Sequence, residues 1–332
     1  MKIAILQFNP KLGAVEANIR HADSLLSKCT ANIELLVLPE MAFSGYNFPS
    51  LAAITPYLEP TTDGITTQWA IKTARERQCH VVVGYPEKTS SSSPTTPNGN
   101  STPNYNSIVT ISPEGHILAN YRKSFLYYTD ETWATEGFPS TPSRKPFYTS
   151  HLPGLGPVGQ GICMDINPYR FETPWTDYEF ATRMLAAECR MVIVSMAWLT
   201  RLTPEDTEAT APHTPDMETV AYWLERFWPF VDSQPTEPIV VVLANRCGSE
   251  GGGKGFVKME HGESIEMGDR VAYAGSSCVM RFQGGSVKLW ERMDGGKKGE
   301  VGMLGKGEET VLVVDTGVQA SYLLQQKKKN AA

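Results

Sequence analysis

Short β-branched and apolar runs recur from one end of this chain to the other, separated by segments of helical length. That alternation constrains the fold more than any other feature. Runs at 3–8, 35–38, 80–84, 107–111, 159–164, 191–196, 239–244, 277–282 and 310–315 read as strands. Segments 15–29, 66–78, 178–188 and 217–230 read as helices. Strand–helix–strand alternation predicts an α/β fold whose sheets are covered by helices. The strands spread over the whole length, so one domain over 1–320 is expected, with surface insertions near 88–104 and 201–216 and a C-terminal tail over 321–332. The first insertion contains a low-complexity Ser/Pro/Asn stretch; the second is rich in Thr, Pro and acid.

Composition excludes several function classes. The formal net charge is -6 with no basic stripe, which argues against nucleic acid as a partner. The run Lys327-Lys328-Lys329 reads as a solvated tail. No apolar run approaches the ~20 residues of a membrane span, and the N-terminal MKIAILQFNP does not read as a signal peptide. Six cysteines without a CxxC pair suggest free thiols in a reducing compartment: the cytoplasm, with nucleus or mitochondrion as alternatives. The six histidines form no HxxxH or HExxH pattern, so neither a metal nor another cofactor is expected. The glycine-rich GSEGGGKG at 248–255 nearly spells a phosphate loop. It places Gly255 where Ser or Thr should hold magnesium, and reads instead as a flexible loop.

Three residues carry candidate chemistry. Cys163 ends an apolar run and opens a turn, where a thiol can be exposed while its strand stays buried; a buried apolar cysteine is the plainer reading. Glu40 stands just past the end of a buried strand, after Pro39, where ligand sites of α/β sheets lie; it could also be an ordinary loop acid. Lys123 follows a turn and a short apolar stretch, a position that also suits a surface lysine. Together they explain one another. Amide hydrolysis needs a nucleophile, a proton carrier and positive charge for a tetrahedral oxyanion, and Cys, Glu and Lys supply these without histidine.

The blocks LPEMAFSGY, Tyr121-Arg122-Lys123 and GICMD at 161–165 resemble, in order and spacing, the signature blocks of the nitrilase or carbon–nitrogen hydrolase superfamily. Ala244-Asn245-Arg246 and the stretch from Tyr273 to Ser277 fit as well, so the resemblance covers roughly residues 2–316. It implies a four-layer α-β-β-α sandwich and the triad Glu40, Lys123 and Cys163. Some amidase members carry an extra Glu shortly after the Lys; Glu131 is the better match, with Glu136 as competitor. The SGYNF and CMDINPYRFE stretches are similar to the fungal protein N-terminal amidase branch. That likeness implies deamidation of N-terminal Asn or Gln in proteins or peptides to Asp or Glu, a step of the N-degron pathway.

A substrate of that kind carries a free α-ammonium group beside its amide. Asp165, with Asp130 behind it, is a candidate partner for the cation; Asp165 suits equally the cap of the turn after Cys163. The Met164 N–H is expected to face the oxyanion, and Lys123 to lower the thiol pKa. Tyr46, Asn47 and Phe48 could wall the pocket, though Asn47 also suits a turn; Trp198 fits the pocket or the core. Alternatives are a small-molecule amidase sharing the triad, of the ω-amidase or carbamoylase kind, and a non-catalytic binding protein on the same scaffold. Monomer and homodimer both remain open.

Overall fold

The computed structural model describes residues 1–90, 103–138, 146–209, 211–251, 256–258, 264–266, 270–293 and 299–324. Most of the low-complexity stretch, Lys254 and Gly255, and the run Lys327–Lys329 lie outside them.

Two mixed sheets face each other. The first runs Thr310–Asp315, Lys2–Gln7, Leu35–Val37, His80–Lys88, Asn104–Ile111, Ile117–Arg122, with Glu59–Pro60 pairing off His80–Lys88. The second runs Tyr322–Leu324, Ser286–Leu289, Cys278–Gln283, Ile239–Asn245, Met191–Met196, Gly156–Ile162, Tyr148–Leu152. The period-2 alternation of the first sheet assigns its two faces. Ile3, Ile5, Leu35 and Val37 share one buried cluster with Ile162, Val192 and Val194 of the second sheet. Ala4, Leu6, Leu36 and Leu38 join a different cluster with Ala22, Leu25, Trp69 and Ala70 of helices Val15–Ser27 and Ile65–Arg77. Phe180, Met184, Trp223 and Phe230 cover the outer face of the second sheet from helices Glu179–Ala186, Met217–Arg226 and Trp228–Asp232. The result is the expected α-β-β-α sandwich.

Polar bonds cross the inter-sheet layer and fix its alignment. Gln160 Nε2 donates to Thr110 Oγ1 at 2.6 Å, and Ser195 Oγ to the Leu38 carbonyl at 2.9 Å. Strands Gly156–Ile162, Met191–Met196 and Ile239–Asn245 are parallel neighbours, with Ile162 opposite Ser195 and Met196 opposite Asn245. Their ends therefore fall on one edge, the side of open sheets where ligands bind.

Three local expectations are corrected. The segment 217–230 breaks at Phe227, because Pro229 cannot continue the ladder of the preceding helix. The strand read as 159–164 stops at Ile162, and residues Cys163–Ile166 form a 3-10 turn. The tail set at 321 begins too early, since Tyr322–Leu324 pairs antiparallel with Ser286–Leu289. The 201–216 stretch carries a short helix, Pro204–Ala209. Among the described residues no helix is long and apolar enough to cross a membrane.

Candidate active site

The strand Gly156–Ile162 delivers Cys163. Helix Glu179–Ala186 packs directly on this strand: a Cβ on Gly159 would lie 2.0 Å from the Met184 sulfur, and one on Gly161 would lie 2.7 Å from the Phe180 ring. Cys163 then takes a left-handed backbone, φ 42°, which costs a non-glycine residue on the order of 1–3 kcal/mol. The surroundings hold it there. Asp165 accepts from the Ile162 N–H at 2.7 Å, and Arg226 Nε donates to the Ile166 carbonyl at 2.8 Å, so both ends of the turn are pinned.

Glu40 arrives by a second tight fold of the backbone. After strand Leu35–Val37, the Leu38 N–H donates to Val82 and the Ala42 N–H to Gly84, with Met41 left-handed between them at φ 46°. Gly84 makes this possible, since a Cβ there would meet the Met41 nitrogen at 2.5 Å. Lys123 directly follows strand Ile117–Arg122, its own N–H donating to the Asn106 carbonyl at 2.8 Å.

Glu40, Lys123 and Asp130 are fully buried in one polar floor. Lys123 Nζ donates to Glu40 Oε1 at 2.7 Å and to Asp130 Oδ2 at 2.6 Å. Asn106 Nδ2 bridges the same two carboxylates at 2.7 and 2.9 Å. The Ala197 N–H donates to Glu40 Oε2 at 2.7 Å. Burial works against the Lys123 ammonium, but the charges of Asp130 and Glu40 outweigh it and raise its pKa, keeping it charged. Burial likewise raises Glu40, against the pull of Lys123. Cys163 is driven well above the ordinary thiol value by burial and then by the Glu40 charge; Lys123 and the Ala197 N–H oppose the shift without reversing it. Lys123 thus pulls the thiol pKa down as expected, but burial and the Glu40 charge outweigh it.

A cavity of about 700 Å³ opens above this floor. Cys163, Tyr46, Met164 and Trp198 line it, as do Tyr222 and Asn167. Trp198 packs on Tyr222 at 5.3 Å between ring centres, and Tyr222 donates to Asn167 Oδ1 at 2.6 Å. Asp216, Glu218 and Glu225 stand on its wall, together with Arg201 and Lys306.

Several anticipated roles are not where the sequence put them. Asp165 is fully buried and spends its oxygens on Ile162, Ser124 and Phe125 N–H groups and on the Tyr121 hydroxyl. It caps the turn and ties it to the segment after Lys123; it does not face the cavity. Asp130, the reserve partner for an α-ammonium, is committed to Lys123. Glu131 lies exposed one residue further along the Tyr128–Glu131 turn, and Glu136 accepts from Tyr169 Oη, so neither is the second acid on the lysine. Asp130 takes that place because its side chain also caps the turn, accepting from the Tyr127 N–H at 3.0 Å, which aims it inward. Asn47 anchors a loop through its N–H to Glu250, and Phe48 packs on Tyr57; neither walls the cavity.

Asn106 and the Ala197 N–H were not anticipated. Asn106 does leave a trace in the sequence. It shares a strand face with Ile108 and Thr110, both turned toward the opposing sheet, and a polar amide at the end of such a face needs partners.

Comparison with known proteins agrees with this architecture. The profile of the family described as Carbon-nitrogen hydrolase matches residues 2–170. A protein of Schizosaccharomyces pombe named Protein N-terminal amidase is 35% identical over 306 residues, covering 87% of this chain and 94% of that one. A Saccharomyces cerevisiae protein of the same name is 29% identical over 227 residues, 62% of this chain and 47% of that one. The crystal structure of an N-terminal amidase superposes with a TM-score of 0.70 at 21% identity, covering 94% of this chain and 96% of that one, which establishes the shared fold. The chain belongs to the carbon–nitrogen hydrolase family, whose members are hydrolases of carbon–nitrogen bonds.

Proposed function

We propose that this enzyme is a protein N-terminal amidase, converting an N-terminal Asn or Gln to Asp or Glu with release of ammonia. The observation that carries the chemistry is the buried Glu40–Lys123 pair acting on Cys163, which lines an open cavity with no histidine on its wall among the described residues. The choice of substrate is supported by the relative that matches over nearly its whole length and is named for that activity. Structures of the similar N-terminal amidase with Gln-Gly and Asn-Glu peptides also support it.

In this mechanism Glu40 takes the Cys163 proton as the sulfur attacks the side-chain amide carbon. Lys123 has three N–H donors, of which two are used on Glu40 and Asp130 among the described residues, leaving one for the developing oxyanion. The Met164 N–H is the natural second donor. Glu40 then hands its proton to the departing nitrogen, the C–N bond breaks, and ammonia leaves a thioester on Cys163. Water enters, Glu40 accepts its proton, and collapse of the second tetrahedral intermediate releases the acid and restores the thiol. Asp130 and Asn106 hold Lys123 and Glu40 throughout. The new acidic N-terminus would be read by an N-degron pathway. The six cysteines, at 29, 79, 163, 189, 247 and 278, form no CxxC pair and suit a reducing compartment such as the cytoplasm.

Mass spectrometry of a peptide panel tests the substrate. Asn- and Gln-initiated peptides should be deamidated and their N-acetylated forms left intact. Preference for the acetylated peptides, or for free glutaramate, would replace this reading with a small-molecule amidase.

A further inference from the structure

The geometry points to Glu250, held by Arg246 and Tyr273, as a positioning residue for the site: it fixes Tyr46, and through Tyr46 the Lys123 network. The inference rests on the proposed role of Glu40, Lys123 and Cys163.

Glu250 is almost wholly buried and far from Cys163 in sequence. Its carboxylate accepts from two successive backbone N–H groups, Tyr46 at 3.0 Å and Asn47 at 2.8 Å, in the loop that leaves Glu40. Tyr273 Oη donates to it at 2.6 Å and Arg246 Nη2 at 2.7 Å. Arg246 is itself fully buried, with its guanidinium 4.5 Å from the Tyr273 ring centre and Nη2 also donating to the Pro10 carbonyl at 3.1 Å. Glu250 is the one carboxylate that Arg246 pairs with among the described residues. The loop fits closely around it: a Cβ on the left-handed Gly45 would lie 2.5 Å from Glu250 Oε1. Pairing of Ser249–Glu250 with Val271–Ala272 brings Glu250 and Tyr273 together.

Tyr46 is the connecting part of this linkage. It lines the cavity beside Cys163. Its hydroxyl donates to Asp130 Oδ2 at 3.3 Å, the oxygen that Lys123 also uses, and the Lys123 ammonium lies 5.6 Å from its ring centre. A buried anion clamping two main-chain donors leaves the ring of Tyr46 little freedom, and Arg246 compensates that anion. This gives a chemical reason for Arg246 and Tyr273, two sequence landmarks that the triad leaves unexplained.

The test is a kinetic double-mutant cycle on an Asn-initiated peptide, with Glu250→Gln, Tyr46→Leu and the double variant. Glu250→Gln should lower kcat on the order of 10²-fold, the loss that about 1 Å of misplacement causes, with KM changed much less. In the Tyr46→Leu background the same change should cost less than about threefold in kcat, because the linkage is already cut. An unchanged kcat in Glu250→Gln, or a full loss repeated in the Tyr46→Leu background, overturns the proposal. If Glu250→Gln does not fold, Tyr273→Phe, which removes one donor to the carboxylate, takes its place with the same two outcomes. Wild-type enzyme inactive on the peptide would instead count against the proposed substrate, so the two failures are distinguishable.

Discussion

The floor and the wall of the cavity are built on opposite principles. The floor is closed: Glu40, Lys123 and Asp130 are wholly buried, and Asn106 and the Ala197 N–H complete their bonding. Each of its strand-derived side chains sits within three residues of a strand end or within a strand, so the sheets set its geometry. The wall is open and borrowed from elsewhere. It comes from residues 198–202, the cap residue Asp216, and the exposed side of helix Met217–Arg226, and its carboxylates Glu218 and Glu225 face the cavity. A closed, hydrogen-bonded floor suits chemistry that must be pre-organised. An aromatic wall carrying both carboxylates and cations suits selection among peptide-sized ligands.

That contrast can be broken by substitution, and the effects should fall in order. Lys123→Met removes the only cation bonded to Glu40 and Asp130 among the described residues. It should lower kcat about 10²–10³-fold, as loss of an oxyanion donor does, and destabilise the fold by about 3–5 kcal/mol through the buried charge left behind; steady-state kinetics and urea unfolding check both. Asp130→Asn keeps the shape but loses the second charge on the lysine. A fall of about 10–10²-fold in kcat with little change in KM is expected, on the scale of disturbing a ligand's supporting partner, and a loss confined to KM would move Asp130 from floor to wall. Trp198→Ala should act the other way, raising KM for peptides by roughly tenfold, the size of one lost apolar contact, while leaving kcat within a few-fold. Glu131→Gln should change neither constant by more than about twofold, since an exposed side chain away from the network contributes little; a large effect there would restore Glu131 as the second acid.

The floor was legible in the sequence because each block is local. A buried run followed at once by Glu40, Lys123 or Cys163 announces a side chain at a sheet edge, and the order of blocks did the rest. The error at 130–131 shows the limit of residue type as a guide. Glutamate resembles the acid expected there, yet the direction of each side chain on a helical turn decides which acid meets the lysine, and Asp130 is turned inward by capping the Tyr127 N–H. Asp165 failed for a related reason. Its position beside Cys163 fits an amine ligand as well as a turn cap, and only the four donors around it decide. The wall was mostly illegible. Apart from Trp198, its residues come from a helix and the stretch at 199–202, whose cavity-facing side is set by tertiary packing, not by any local period.

The central claim is that Cys163 carries the acyl group. Rapid acid quench of the enzyme during turnover of an Asn-initiated peptide, followed by peptide mapping, reads this directly. The account predicts an adduct on Cys163 equal to the peptide less one ammonia, absent in Cys163→Ala, which should be inactive. Turnover retained by Cys163→Ala, or an adduct on another residue, would contradict it.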